Sequence, residues 1–323
     1  MSVLICGSMA YDHIMVFQDQ FKNHILPDKV HILNVSFLVP EMRREFGGCA
    51  GNIAYNLNLL DTSLALPMAT VGKDFESYAY WMDSHNINRK YIKVIEDAYT
   101  AQAFITTDLD DNQITAFHPG AMNHSQENNI SDVSSCSLGI VSPDGRDGML
   151  KHAQQFTEKN IPFIFDPGQG LPMFNGEELI QFIEQANWVT VNDYEWQMMK
   201  EKTGLSKKEI TEKVEALIVT RGGEGSHIYT KEGLIEVPIV EPESISDPTG
   251  CGDAYRAGLL YGLVNNMDIE IAGKIASLMG SIKISCHGTQ NHTFTIDEFM
   301  SQLESKFGSV SYTHLTLPTT PYV

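Results

Sequence analysis

From Leu138 onward the chain repeats one pattern: a short apolar run, then a longer segment with apolar residues at helical spacing. Leu138–Ser142 precedes Gly148–Lys159, Ile161–Asp166 precedes Glu177–Gln185, and Trp188–Asn192 precedes Asp193–Thr203. Ala216–Thr220 then leads into a β segment, His227–Val237, and helices at 253–265, 269–284 and 296–305 follow. Strands separated by helices must run parallel, because only a crossover returns the chain to the same end of the sheet. The alternation therefore predicts an α/β fold: a doubly wound, mostly parallel sheet with helices on both faces. The same pattern opens the chain, with strands Val3–Gly7 and Leu64–Gly72 and helices Cys49–Leu60 and Phe75–His85. Two stretches break it. Residues 13–46 hold β-prone runs such as His31–Val39, and residues 94–120 hold Ala101–Thr107, a DLDDN turn and Gln113–His118. They are expected to pair as a small accessory sheet, a lid. No internal repeat or long linker is present, so one domain is expected over residues 1–309 with the lid segments inserted. The end, SVSYTHLTLPTTPYV, carries no charge in a chain that is 20% charged. Its run VSYTHLTLPT looks like a translated sequencing adapter, so residues 310–323 are expected to be a non-native tail.

Charge and cysteine usage narrow the function classes. The net charge is −19, from 41 acidic and 22 basic residues, which argues against nucleic acid polymers as partners because they need clustered Lys and Arg. A nucleotide stays open, since a metal ion and backbone amides can balance its charge. The five cysteines are scattered and form no CxxC, which fits a reducing, cytoplasmic setting rather than a disulfide framework. The 11 histidines form no HExxH pair, so no zinc site is assigned. MSVLICGSMAYD lacks a basic leader and reads as a buried strand. No run reaches the roughly 18–20 apolar residues that span a bilayer, so no membrane partner is expected.

The most specific stretch is SISDPTGCGDAYRAG, residues 244–258. Asp247–Asp253 reads as a glycine-rich turn and the residues after it as a helix. Such a junction leaves several N–H groups aimed at one point, where the helix dipole adds positive potential. That is an anion site, and phosphate is the usual anion. Asp253 is then out of place unless it faces an attacking hydroxyl. Phosphoryl transfer needs donors on the transferred group and an acceptor for the hydroxyl proton. The amides of Gly250, Cys251 and Gly252 can supply the first and Asp253 the second. The plainer alternative is a helix start with Asp in its first turn. There is no GxxxxGK[ST], HRD or DFG, so neither a P-loop nor a protein kinase is indicated.

DPTGCGDAYRAG resembles the C-terminal signature of the ribokinase-like (PfkB-type) sugar and nucleoside kinases, with Cys251 in place of the usual alanine. Only the N–H of that residue is needed, so activity is expected to survive. Gly47-Gly48-Cys49-Ala50-Gly51-Asn52 resembles the family's N-terminal glycine element, and Asp12 matches its early aspartate. Asn192-Asp193-Tyr194-Glu195 resembles N-x-x-E, and Thr220-Arg221-Gly222-Gly223 the segment lining the nucleotide site. The resemblance covers residues 1–305. It implies that Asp12, Gly47, Gly48 and Asn52 bind the acceptor, and that Asn192, Glu195, Thr220, Arg221, Gly222 and Gly223 bind ATP. It implies Mg²⁺ near Asn192 and Glu195, mostly through water, and a monovalent cation such as K⁺ near Asp247 and Thr249. Residue by residue, plainer readings stand beside these: Asn192 and Glu195 as a helix capping box, Asn52 as a backbone partner, Arg221 as a solvated loop residue. Arg43 and Arg44 read as a solvated lid edge, and Arg256 as a helix-surface residue in an ion pair.

The signature, the AFHPGA segment at 116–121 and GTQNH at 288–292 look closest to bacterial and archaeal adenosine or nucleoside kinases. Phe104, Phe117 and Phe37, on the expected lid strands, are candidates to stack on a purine. The expected reaction moves the ATP γ-phosphate to a nucleoside 5′-hydroxyl, adenosine first. A sugar or sugar-phosphate kinase and a non-catalytic sensor are the alternatives, and a homodimer through the lid is a further expectation.

Overall fold

Strand β1 (Val3–Cys6) is buried at every position, as a central parallel strand with helices on both sides must be. The computed structural model describes residues 1–110 and 112–308; the proposed non-native tail, 310–323, lies outside the described residues. Val3 and Ile5 enter one apolar cluster and Leu4 and Cys6 another, so the two-residue period of the strand divides the core into two layers. The first layer holds helices α1 (Cys49–Leu60), α2 (Glu76–Ser84), α7 (Cys251–Val264), α8 (Ile269–Ile284) and α9 (Ile296–Phe307). The second holds α3 (Arg146–Glu158), α4 (Gly176–Gln185), α5 (Asp193–Thr203) and α6 (Lys207–Thr211).

From β1 the chain winds outward to β4 (Ala65–Gly72) and β5 (Tyr91–Ile95). It then returns to the other side of β1 through β8 (Leu138–Val141), β9 (Phe163–Phe165), β10 (Trp188–Asn192) and β11 (Ala216–Thr220), all parallel. An antiparallel hairpin, β12 (Ser226–Tyr229) and β13 (Leu234–Val237), completes nine strands in the order β13-β12-β11-β10-β9-β8-β1-β4-β5. Winding reverses between β1 and β8, and open α/β sheets bind ligands at the carboxyl ends of strands flanking such a reversal.

The second sheet is the lid: β2 (Ala10–Val16), β3 (Met42–Gly47), β6 (Ala101–Thr107) and β7 (Gln113–His118), in the order β3-β2-β6-β7. The two β-only stretches do pair, with three differences from expectation. The lid starts at Ala10 rather than at residue 13, so Asp12 lies on a lid strand. Val94 and Ile95 belong to β5 on the edge of the large sheet, and the second lid stretch begins at Ala101. His31–Val39 is not a strand: Pro27–Ile32 forms 3-10 turns and the residues after it carry no regular structure. Both edges of β2 are already paired, with β3 and β6, so this run has no strand to join there.

Candidate active site

Gly250 precedes helix α7 as its N-cap; its φ of 79° lies in the left-handed region that glycine favours, and no side chain caps the end. A Cβ there would stand 3.0 Å from the Thr289 methyl. The Cys251 N–H bends back 3.2 Å to the Pro248 carbonyl, which corrects the expectation that it is open to an anion. The amides of Gly250, Gly252 and Asp253 take no backbone acceptor among the described residues, so these three are open to an outside acceptor.

Asp253 lies in the first turn of α7, facing the start of α1. Its Oδ2 accepts a 2.8 Å hydrogen bond from Asn52 Nδ2. Asn52 cannot flip, because its Oδ1 accepts from Gln290 Nε2 at 3.0 Å. Gln290 is locked in turn: the same nitrogen donates to Tyr78 Oη at 2.7 Å, and its Oε1 accepts from Trp81 Nε1 at 2.9 Å. Tyr78 donates to the Gly47 carbonyl at 2.9 Å. Burial raises the Asp253 carboxyl to about 6, an effect that Asn52, Arg256 and the Cys49 thiol oppose and Asp166 reinforces. A carboxyl with that pKa is ionised at neutral pH yet basic enough to accept a proton.

Asp12 packs against the glycine pair. A Cβ on Gly47 would lie 2.5 Å from Asp12 Oδ2, and one on Gly48, with φ 86°, 2.5 Å from the Met9 Cα, so the chain passes there only as glycine. Burial, then Glu45 and Asp247, raise Asp12 to about 6. Lid register separates the expected aromatics. Asp12 pairs with Glu45 and Ala103, and Ala103 with Phe117, so Phe117 shares the face of Asp12. Phe104 pairs with His13 on the opposite face and stacks on it at 4.7 Å, which removes it from the acceptor side. Phe37 is on no lid strand; it packs with Phe17 and Phe21, at 4.9 Å from each. Arg43 reaches Glu45 at 3.7 Å, and Arg44 lies over the Tyr11 ring and donates to Ser77.

The remaining residues end the strands on the far side of the reversal. Asn192 and Glu195 form a reciprocal capping box on α5: Glu195 N–H to Asn192 Oδ1 at 2.7 Å, Asn192 N–H to Glu195 Oε2 at 2.8 Å. One Glu195 oxygen remains outside the box. Among the described residues no group of three His, Cys, Asp or Glu side chains is gathered to hold a metal ion, so this donor set fits a hydrated Mg²⁺ met through water and not a protein cage. Thr220 ends β11, and Gly222 and Gly223 border open space. Arg221 is committed to Glu224 and to His227 Nε2 at 3.0 Å.

Arg256 is not on the surface. Helix α7 is buried from Ala254 to Tyr261, and the guanidinium grips Asp166 with two bonds, 3.1 and 2.9 Å, while donating to the Gly252 carbonyl. This pair ties the anion turn to the end of β9. Asp247 is also fully engaged. Its carboxylate accepts from the Thr249 and Gly288 amides, both at 2.9 Å, and its carbonyl accepts from Lys283 Nζ at 2.7 Å. The residues assigned to a monovalent cation therefore do not fit one: a lysine ammonium already holds the Asp247 carbonyl.

A carboxylate buried beside an uncapped, glycine-led helix start, with a second carboxylate on the lid, can accept a proton next to a bound anion. The model of the pfkB family of carbohydrate kinases matches residues 8–295. The chain belongs to that family. It is 35% identical to a nucleoside kinase of Methanocaldococcus jannaschii over 273 residues, 84% of this chain and 89% of that one. It is 50% identical to the structure of Burkholderia thailandensis nucleoside kinase in complex with inosine, with a TM-score of 0.87 over 95% of this chain and 99% of that one. The ADP-inosine complex of the same kinase gives 51% identity and a TM-score of 0.84 over 95% and 97% of the two chains. The fold is thus ribokinase-like, and the chain is a pfkB-family kinase.

Sequence reasoning missed Gln290, Tyr78, Trp81 and Asp166. GTQNH carries only a likeness, and nothing local says that its glutamine reaches Asn52, 238 positions away. For Arg256 a signal existed: a helix apolar all round, AYRAGLLYGLV, has no wet face for an arginine.

Proposed function

We propose that this kinase transfers the γ-phosphoryl group of ATP to the 5′-hydroxyl of a purine nucleoside, with adenosine and inosine as the first acceptors to test. The observation that carries the reading is the Asn52–Asp253 contact at the open end of α7. In this reading the proton acceptor and the free amides meet at one point, which the acceptor reaches from the lid side and the nucleotide from the β10–β11 side. The nucleoside kinases that this chain resembles support the acceptor class.

In this reading Asp12 accepts two ribose hydroxyls, and Gly47 and Gly48 let the sugar approach the backbone. Asn52 keeps one amide hydrogen for the substrate while the other holds Asp253. Phe117 lies against the base. Asn192, Glu195 and Thr220–Gly223 border the nucleotide, with Arg221 at the rim. Glu195 would hold Mg²⁺ through water, and the ion would offset charge on the polyphosphate. Asp253 takes the hydroxyl proton as the oxygen–phosphorus bond forms, and the amides of Gly250, Gly252 and Asp253 hold the transferring group. The lid excludes water that would otherwise accept the phosphoryl group. A cytoplasmic place in purine salvage suits this chemistry, and the exposed residues of β7 suit a homodimer through the lid. No described helix is long and apolar enough to cross a membrane.

The test is ADP release with MgATP against adenosine, inosine, ribose and fructose 6-phosphate. Nucleoside-dependent release at the highest kcat/KM supports the proposal. Preference for either sugar replaces it with a sugar kinase, and no acceptor-dependent release with any compound leaves the sensor reading.

A further inference from the structure

Lys283 is fully buried, and lysine is rarely so unless something compensates its charge. It occupies the last turn of α8, and its Nζ donates to two carbonyls, Asp247 at 2.7 Å and Cys286 at 3.1 Å. The Cys286 bond ties the lysine to the segment that leaves its own helix. The Asp247 bond has another consequence. Asp247 starts the DPTG turn that ends at Gly250, its carboxylate fixes the Thr249 and Gly288 amides, and its carbonyl also lies 3.9 Å from the Cys251 thiol. The ammonium thus sits behind the anion turn, on the carbonyl that starts it.

A monovalent cation would use these same groups: backbone carbonyls converging behind the turn, beside a carboxylate. We infer that Lys283 is a tethered monovalent cation that holds the Asp247 carbonyl and lends positive potential to the Gly250–Asp253 amides, so that phosphoryl transfer by this kinase needs no exchangeable K⁺ or Na⁺. The charge comes with the chain and is present in every molecule, whatever the salt.

The inference rests on the kinase reading, and its tests separate the two. Wild-type turnover is measured in potassium, sodium and tetramethylammonium chloride at equal ionic strength; kcat is expected to agree within about twofold, since the built-in charge makes the salt cation irrelevant. Lys283→Met keeps the stem and removes the charge. Its kcat is expected to fall about 10²-fold, the scale for losing one stabilising group at a developing anion, with nucleoside affinity by calorimetry unchanged. K⁺ or NH₄⁺, but not tetramethylammonium, is expected to restore at least about tenfold of that loss, because only a small ion fits the space. A readout without turnover accompanies this: K⁺ raises the melting temperature of Lys283→Met above its value in tetramethylammonium, and does not do so for the wild type. Wild-type activity that collapses without K⁺ overturns the inference. So does a Lys283→Met protein with normal kcat, or one whose loss no small cation repairs, because Lys283 is then only a strut. If Lys283→Met does not fold, Lys283→Gln undergoes the same rescue and the wild-type salt series remains decisive.

Discussion

Helices α5 and α7 both start at the cleft, and they start differently. Helix α5 is closed by the reciprocal box of Asn192 and Glu195, and the same device opens α4 with Asn175 and Glu178, α6 with Ser206 and Glu209, and α9 with Thr295 and Glu298. Helix α7 starts from Gly250 at φ 79° with no side-chain cap, whereas its neighbour α1, starting from Gly48 at φ 86°, is closed by Ser8, whose Oγ and carbonyl accept from the Cys49 and Ala50 amides at 3.3 and 2.9 Å. A box satisfies two orphan amides by itself. An uncapped start leaves them for a ligand. At the cleft the chain closes α5 with a box and leaves the first amides of α7 open.

The largest effect expected from that contrast is at Asp253. Asp253→Asn should lose at least about 10²-fold in kcat, the low end for a general base, and should melt higher at pH 8. The sign follows from the raised carboxyl: it titrates near 6 against an ordinary 3.8, so its stabilising contribution is complete below about 3.8 and lost as pH rises through 6. At pH 8 the folded state carries a buried charge that asparagine lacks. Parallel turnover and melting curves decide it, and a variant both active and unchanged in stability would break the comparison at its centre. Next is Gly250→Ser, which gives α7 a capping side chain like those of its neighbours. With positive φ and the Thr289 methyl 3.0 Å from a Cβ, it should cost about 1–3 kcal/mol in stability and about tenfold or more in kcat. Gln290→Ala frees Asn52 to rotate. A loss of about tenfold in kcat is expected, and the acid limb of kcat/KM should move to higher pH, because the Asn52 bond is what lowers the Asp253 pKa most. An unmoved limb with reduced stability would make Gln290 a packing residue. The smallest effect is at a box far from the cleft: Asn175→Ala should cost about 1 kcal/mol in denaturant titration and leave kcat unchanged.

The same contrast explains what could be read in advance. Alternating periodicity places β8 to β11 and their helices, because both local spacing and burial follow from one parallel sheet. The glycine turn before Asp253 is legible because backbone geometry there depends on adjacent residues. Strand β5 is hard to read because YIKVI lies on the sheet edge with half-exposed residues and no clean alternation. His31–Val39 has strand propensity but no partner, and pairing decides. Phe104 and Phe117 were grouped because composition does not reveal register, and register puts them on opposite faces. Lys283 reads as an ordinary helix-end lysine until the DPTG loop is folded against it.

The Asn52–Asp253 contact joins residues 201 positions apart, and Gln290 must arrive later still to fix it. A ribosome emits roughly 5–20 residues per second, so most of the large sheet and the entire lid emerge well before the reactive centre exists. On the proposed role of Asp253, partial translation products and chains cut before α7 are enzymatically silent. The cell is spared a half-made protein that spends ATP on water, and activity itself reports that the chain has been finished past Gln290.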